Sequence, residues 1–290
     1  MLGEHTVLHG SAAYAVPLRR YSARIALRNS TPDEYQLPIK EGIHASFDFQ
    51  KWLAFAKTSE VLAGKLDFDL WEKEAHELGV YADIPIGYGL GSSGAITAEA
   101  YRRYMLQEVP NPTLLRKQLA ALECFFHGES SGLDPLVSFL NQAIYVSPSG
   151  EIETIAVKHS FPVPSPGGAW FLIDSGQPRA GKDAITRFGE SCKVKQWQRE
   201  VLKPMNCLVE ELAQGLKSAK MHGLTPKLKA LSALQLAELA FLIPSHIARR
   251  WEEWLKNETA YLKLCGAGGG GFFLGYAPQK SNLTEEVIWL

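Results

Sequence analysis

The sequence predicts a chain of mixed α and β structure in two domains, on three observations. Pro85 to Ala95 strings four glycines and two serines together and runs into Ile96–Tyr104, which reads as a helix. Phe161 to Gly168 is dense in Pro and Gly and marks a domain junction, giving domains 1–163 and 164–290. Lys263 to Leu274 is a second glycine-rich turn that enters an apolar strand.

The elements between these landmarks follow from patterning. Ala12 to Val16 and Ala23 to Leu27 are apolar enough for strands, and residues 46–64 and 69–78 read as helices. Asn111-Pro112-Thr113 is a turn and cap, after which Leu115, Leu119, Leu122 and Phe126 fall on one helical face. Ala143–Val146 and Ile152–Val157 are short strands around a Ser-Pro-Ser-Gly turn. Ala169–Ile173 is a buried strand ending at Asp174-Ser175, and residues from about 190 to 257 read as helices broken near Lys203-Pro204, Gly223 and Pro244.

Composition narrows the function classes. The 290 residues are 46% hydrophobic and 21% charged, with 30 Lys and Arg against 31 Asp and Glu, so charge offers no nucleic-acid or membrane signal. No apolar run approaches the ~18 residues of a membrane span, and the first residues lack the regions of a signal peptide. Cys124, Cys192, Cys207 and Cys265 are far apart, without metal or redox spacing, and are expected to be reduced thiols in a cytoplasmic protein. His5 and His9 stand four apart, but the order is Glu-His and Gly10 would end a helix at once, which argues against a zinc pair.

The first glycine stretch has the chemistry of an anion site. Glycine lets backbone approach a ligand closely, serine at the join caps a helix, and the helix start presents unpaired N–H groups to phosphate. A dinucleotide fingerprint needs a buried strand directly before the glycines, where this chain has Asp83 and Pro85. The G-x-x-x-x-G-K-[ST] loop fails because no Lys follows, and no V-A-I-K strand follows as in protein kinases.

Two carboxylates follow this loop. Glu123 closes the Leu114–Phe126 helix and Asp134 lies eleven positions on. One carboxylate beside phosphates can hold Mg²⁺, and a second can take or orient the proton of an attacking hydroxyl. Each also reads as an ordinary residue, Glu123 on a solvated helix face and Asp134 in a turn before Pro135. Gly128-Glu129-Ser130-Ser131-Gly132 matches a serine-hydrolase elbow, with Asp174 or Asp183 and His222 or His246 in the required order. That elbow needs a preceding strand, whereas 114–127 reads as helix with Arg116 and Lys117 on its polar face.

Four motifs in order resemble the GHMP kinases, and among them the mevalonate kinases. They are Gly3-Glu4-His5-x-Val7-Leu8-His9-Gly10, Pro85-x-x-x-Gly89-Leu90-Gly91-Ser92-Ser93, Glu123-x-x-x-His127-Gly128-x-Ser130-Ser131-Gly132-Leu133-Asp134 and Lys263-Leu264-Cys265-Gly266-Ala267-Gly268-Gly269-Gly270-Gly271. The resemblance implies the family's α+β fold, with a ribosomal protein S5 domain 2-like N-terminal domain and a ferredoxin-like C-terminal domain. It implies that Gly87, Gly89, Leu90, Gly91, Ser92 and Ser93 bind ATP and that Ser93 and Glu123 hold Mg²⁺. Asp134 would act on the substrate hydroxyl, and Glu4, His5, Ser175, Gly266, Ala267 and Gly268 would line the substrate. Arg179 and Lys182 are candidates for neutralising phosphoryl charge, or exposed loop cations.

The implied activity is ATP-dependent phosphorylation of a small-molecule alcohol, the 5-hydroxyl of mevalonate, in a cytoplasmic enzyme that is a homodimer by analogy. Alternatives are a related kinase for phosphomevalonate, a sugar or homoserine, a non-catalytic nucleotide binder, and the Ser130 hydrolase. Family members usually carry a lysine several residues before Gly-Glu-His, at the end of a first strand that this sequence lacks; either the sequence is short at its start, another cation does that work, or activity is weak. Gly94 stands where alanine is common, a mild change of at most about 1 kcal/mol at a helix start, and Glu129 adds a charge where a neutral residue is usual.

Overall fold

A computed structural model describes the chain except residues 29–42, 45, 46, 86, 157–161, 180, 181 and 267. In chain order the strands are β1 Ala13–Ala15, β2 Ala23–Leu27, β3 Ile43–His44, β4 Leu78–Ala82, β5 Ala143–Val146, β6 Ile152–Ile155, β7 Ala169–Asp174, β8 Tyr261–Leu264, β9 Phe272–Ala277 and β10 Ile288–Trp289. The α-helices are α1 Phe49–Lys57, α2 Phe68–Glu74, α3 Ser92–Tyr104, α4 Pro112–His127, α5 Leu133–Leu140, α6 Lys182–Lys193, α7 Lys195–Trp197, α8 Lys203–Lys217, α9 Leu224–Glu238 and α10 Ser245–Lys256.

These elements form two compact units. One comprises Pro17–Ile86 and Gly91–Gln142, the other Met1–Val16, Gly87–Leu90 and Ala143–Leu290. The expected junction at 163/164 does not coincide with this division and falls inside the second of them. The reason is strand pairing: β5 pairs antiparallel with both β1 and β6, and Tyr14, Ala143 and Tyr145 share one apolar cluster with Trp170 and Phe171. The Pro/Gly stretch is an internal connection, tied down where the Trp170 indole donates to Pro162 O at 2.8 Å.

In the 17–142 unit the sheet order is β2-β4-β3, antiparallel throughout, with Ala23 opposite Ala82 and Leu27 opposite Leu78. β4 ends at Ala82, before Asp83 and Pro85, as a paired central strand must. Local chemistry explains the helix ends. Asp48 caps α1 by accepting from Lys51 N, and Asn111 caps α4 by accepting from Thr113 and Leu114 N. Gly128, at φ 79°, closes α4 in a backbone state that a side chain would strain. Leu115, Leu119 and Leu122 point inward, and the buried Trp52 indole donates to Leu122 O at 3.0 Å. Tyr104 stacks on the buried Trp71 and donates to Glu74, which also takes both fork nitrogens of Arg103.

In the other unit, one sheet has the order β10-β7-β9-β8 and another β1-β5-β6. α8, α9 and α10 bury Met205, Leu212, Leu231, Trp251 and Trp254 in its core. The expected break at Lys203-Pro204 is absent. Gln198–Leu202 is a π-helical segment that leads directly into α8, where Pro204 sits in the first turn. Its fixed φ is compatible with a helix, so the chain stays helical through the junction. Gly223 and Pro244 do precede helices, as the N-caps of α9 and α10. Among the described residues, no helix is long and apolar enough to cross a membrane.

Candidate active site

The start of α3 gathers the acidic residues. The helix begins at Ser92, four residues before the expected Ile96, and its N-cap is Gly91 at φ 77°, with no side-chain cap. The serines expected to cap it are therefore inside the helix, and this frees the Ser93 hydroxyl for other work. It donates to Glu123 Oε1 at 3.0 Å and lies 3.0 Å from His127 Nε2. Glu123 is only 5% exposed, and its second oxygen accepts from Ser130 Oγ. Ser130 Oγ in turn accepts from Gly132 N at 2.9 Å.

Asp134 lies in the first turn of α5, against the same helix start. A Cβ built on Gly91 would lie 3.4 Å from Asp134 Cγ and 3.5 Å from Oδ2. One built on Gly94 would lie 2.8 Å from the Asp134 Cβ and carbonyl carbon, and from Pro135 N. Gly94 is therefore not the mild replacement expected from helix propensity, because it lets α3 and α5 approach where alanine would collide with backbone. Arg116, half-buried, donates to Ser131 O at 2.7 Å and holds the Gly128–Gly132 loop against α4. Burial lowers its guanidinium pKa.

Gly87 to Leu90 belong to the other unit and are set there by backbone contacts. Phe272 N donates to Tyr88 O at 2.8 Å, and Arg179 donates to Gly87 O from its backbone N (3.0 Å) and from Nε (3.3 Å). A Cβ on Gly89 would lie 2.7 Å from Cys265 O, on Gly266 2.7 Å from Arg179 Nη1, and on Gly271 2.4 Å from Tyr88 O. The two glycine-rich turns are thus in van der Waals contact through positions only glycine can fill. Gly268, at φ 78°, packs on Leu242. Ser175 is buried, its hydroxyl donates to Gln177 O at 3.0 Å, and His246 Nε2 lies 3.0 Å from its carbonyl oxygen.

Glu4 and His5 lie in the same unit. The Glu4 carboxylate pairs with Lys263 Nζ at 2.5 Å, each side chain 5% exposed, and the His5 ring sits 5.2 Å from that of Phe188. Burial pushes the Glu4 carboxyl up, but Lys263, His5 and the N-terminal amine together hold it below the usual carboxylate range.

The structure thus brings Gly91, Ser92, Ser93, Glu123 and Asp134 together in one unit. It places Gly87, Gly89, Leu90, Glu4, His5, Ser175, Gly266 and Gly268 in the other. Ala267 lies outside the described residues, as does the Lys182 side chain. Ser130 follows a helix rather than a strand, so the hydrolase elbow is not formed. Among the described residues no three His, Cys, Asp or Glu side chains form a metal cage. Sequence reasoning missed His127, Ser130 and Arg116 as supports and Lys263 as the partner of Glu4. The one visible signal was a lysine inside the apolar run Tyr261–Leu264.

No established protein-family profile matches the chain. It is 26% identical over 317 residues to a mevalonate kinase of Thermococcus gammatolerans, covering 99% of this chain and 89% of the relative. The mevalonate kinase of Pyrococcus abyssi is 25% identical over 322 residues with the same coverage. Two solved structures share the fold. Mevalonate kinase of L. major in complex with R-mevalonate has a TM-score of 0.60 at 13% identity, over 97% of this chain and 85% of that one. Lactococcus lactis galactokinase with galactose has a TM-score of 0.62 at 15% identity, over 97% and 83%.

Proposed function

We propose that this chain is a GHMP kinase, most like mevalonate kinase, and that it transfers the γ-phosphoryl group of ATP to the 5-hydroxyl of mevalonate. The observation that carries the assignment is the gathering of Ser93, Glu123 and Asp134 at the start of α3. The amide hydrogens of its first turn, with the positive end of the helix dipole, receive phosphate oxygens. In the sequence Gly87, Gly89 and Leu90 directly precede this turn, and the motif assigns them to ATP as well.

Mg²⁺ fits the donors present. A serine hydroxyl and a carboxylate oxygen 3.0 Å apart are hard oxygen ligands, and Mg²⁺ takes one or two carboxylates besides phosphate and water. Ser93 and Glu123 would hold it, with Ser130 and His127 fixing their orientation. When bound it neutralises charge on the β- and γ-phosphates. Asp134 accepts the hydroxyl proton as the new O–P bond forms and the bond from the γ-phosphorus to the β,γ-bridging oxygen breaks. Arg179, held at both glycine-rich turns, is the cation we assign to phosphoryl charge. The cytoplasm is the expected compartment and a homodimer the expected assembly, the latter checked by light scattering.

The test is ATP consumption with mevalonate, phosphomevalonate, galactose and homoserine as acceptors. We expect turnover with mevalonate, and a loss of roughly 10²–10⁴-fold in Asp134→Asn. Turnover with another acceptor alone would reassign the substrate, and ATP binding without any turnover would make the chain a nucleotide binder. Full activity in Asp134→Asn would remove the proposed base.

A further inference from the structure

We propose that the buried pair of Glu4 and Lys263 is a positioning clamp for the nucleotide loop, and that Glu4 does not contact the acceptor substrate. The inference rests on the kinase reading above and assigns Glu4 a different role from the one its motif implies.

Lys263 Nζ lies 2.5 Å from Glu4 Oε1 and also donates to the Leu264 carbonyl. The next amide, Leu264 N, donates to Gln235 Oε1 at 3.0 Å, and Gln235 is 3% exposed. Two polar groups buried in the core therefore grip the last residues of β8, one residue before the Cys265 carbonyl against which Gly89 is seated. Past the turn, Gly271 N donates to Gln177 O at 2.7 Å and Phe272 N to Tyr88 O at 2.8 Å. The height of the 265–271 turn, and with it that of Gly87–Leu90, is set by where Lys263 is pulled.

Stability gives little reason for such a pair. Removing two charges from water offsets most of their attraction, and apolar side chains of the same volume commonly do as well. Glu4 Oε2 has no hydrogen-bond partner among the described residues, in a small pocket lined also by Gly3, Thr6 and Gln235. What the pair supplies is a fixed distance between the first turn of the chain and the strand that ends in the second glycine-rich turn. With side chains 5% exposed, Glu4 is directed at Lys263 rather than at solvent.

The two roles differ in which substrate they affect. In a clamp, Glu4→Gln raises the KM for ATP by about tenfold or more and weakens ATP binding measured by calorimetry without acceptor, while the KM for mevalonate moves by less than about threefold. The double variant Glu4→Gln/Lys263→Met removes both charges, leaves no unpaired buried ion, and is expected to fold with the same ATP defect. A rise in the KM for mevalonate with ATP unaffected would overturn the clamp in favour of a substrate contact. So would parent-like ATP binding in the folded double variant. An unmodified protein that neither binds ATP nor phosphorylates an alcohol would instead bring down the kinase reading itself.

Discussion

Replacing Gly94 by alanine sets two effects against each other. Alanine is the better helix former by about 1 kcal/mol in a helix interior, which alone would stabilise α3. The added methyl, however, lies 2.8 Å from the Asp134 Cβ and carbonyl carbon and from Pro135 N. That is about 0.7 Å inside the optimum separation of carbon atoms. These are backbone and near-backbone atoms, so no rotamer change relieves the contact and the start of α5 must retreat. Overpacking of this kind costs about 1–3 kcal/mol, which outweighs the propensity gain. Asp134 moves with α5, and a displacement near 1 Å at a reacting group costs on the order of 10²-fold. We expect Gly94→Ala to lose up to about 2 kcal/mol in urea unfolding and roughly ten- to fifty-fold in kcat. The steady-state assay with mevalonate, beside the unfolding curve, decides. A variant more stable than the parent, with kcat within about twofold, would refute the close approach of α3 and α5.

Glu123→Gln should raise the Mg²⁺ concentration for half-maximal activity by about tenfold or more, read from a metal titration at saturating ATP. Glu74→Ala strips one acceptor from Arg103 and Tyr104 and should cost about 1–2 kcal/mol, since the group is partly solvated; a urea midpoint unchanged from the parent would contradict this. Glu4 gives a pH dependence whose sign is determined by its lowered folded pKa. Its contribution is present above the unfolded value of 4.5 and is lost as pH falls through the folded one. Urea midpoints taken between about pH 5 and pH 3 should therefore fall more steeply in the parent than in Glu4→Gln.

Much of the local structure was readable because its causes are local. Asn111 and Pro112 start α4 and Gly128 ends it through bonds and dihedrals that span at most four residues. The same holds for the strands β5 and β7, whose apolar runs end at Ser147-Pro148 and Asp174-Ser175. The ordered spacing of four motifs likewise carried the resemblance to the GHMP kinases without coordinates.

Sequence alone determined which chemistry the chain carries: glycines and serines at a helix start, two carboxylates after it, and a second glycine turn near the end. Tertiary structure decided what each residue is attached to. Gly91, not a serine, caps α3, because Ser93 is drawn to a carboxylate thirty residues away. Gly94 is needed because Asp134 arrives forty positions later, and Glu4 finds its charge partner at Lys263. The grouping of residues 143–163 with the C-terminal half depends on β5 meeting β1 across more than a hundred residues. Contacts between positions so distant leave no periodicity in either segment, so they emerge only once the chain has folded.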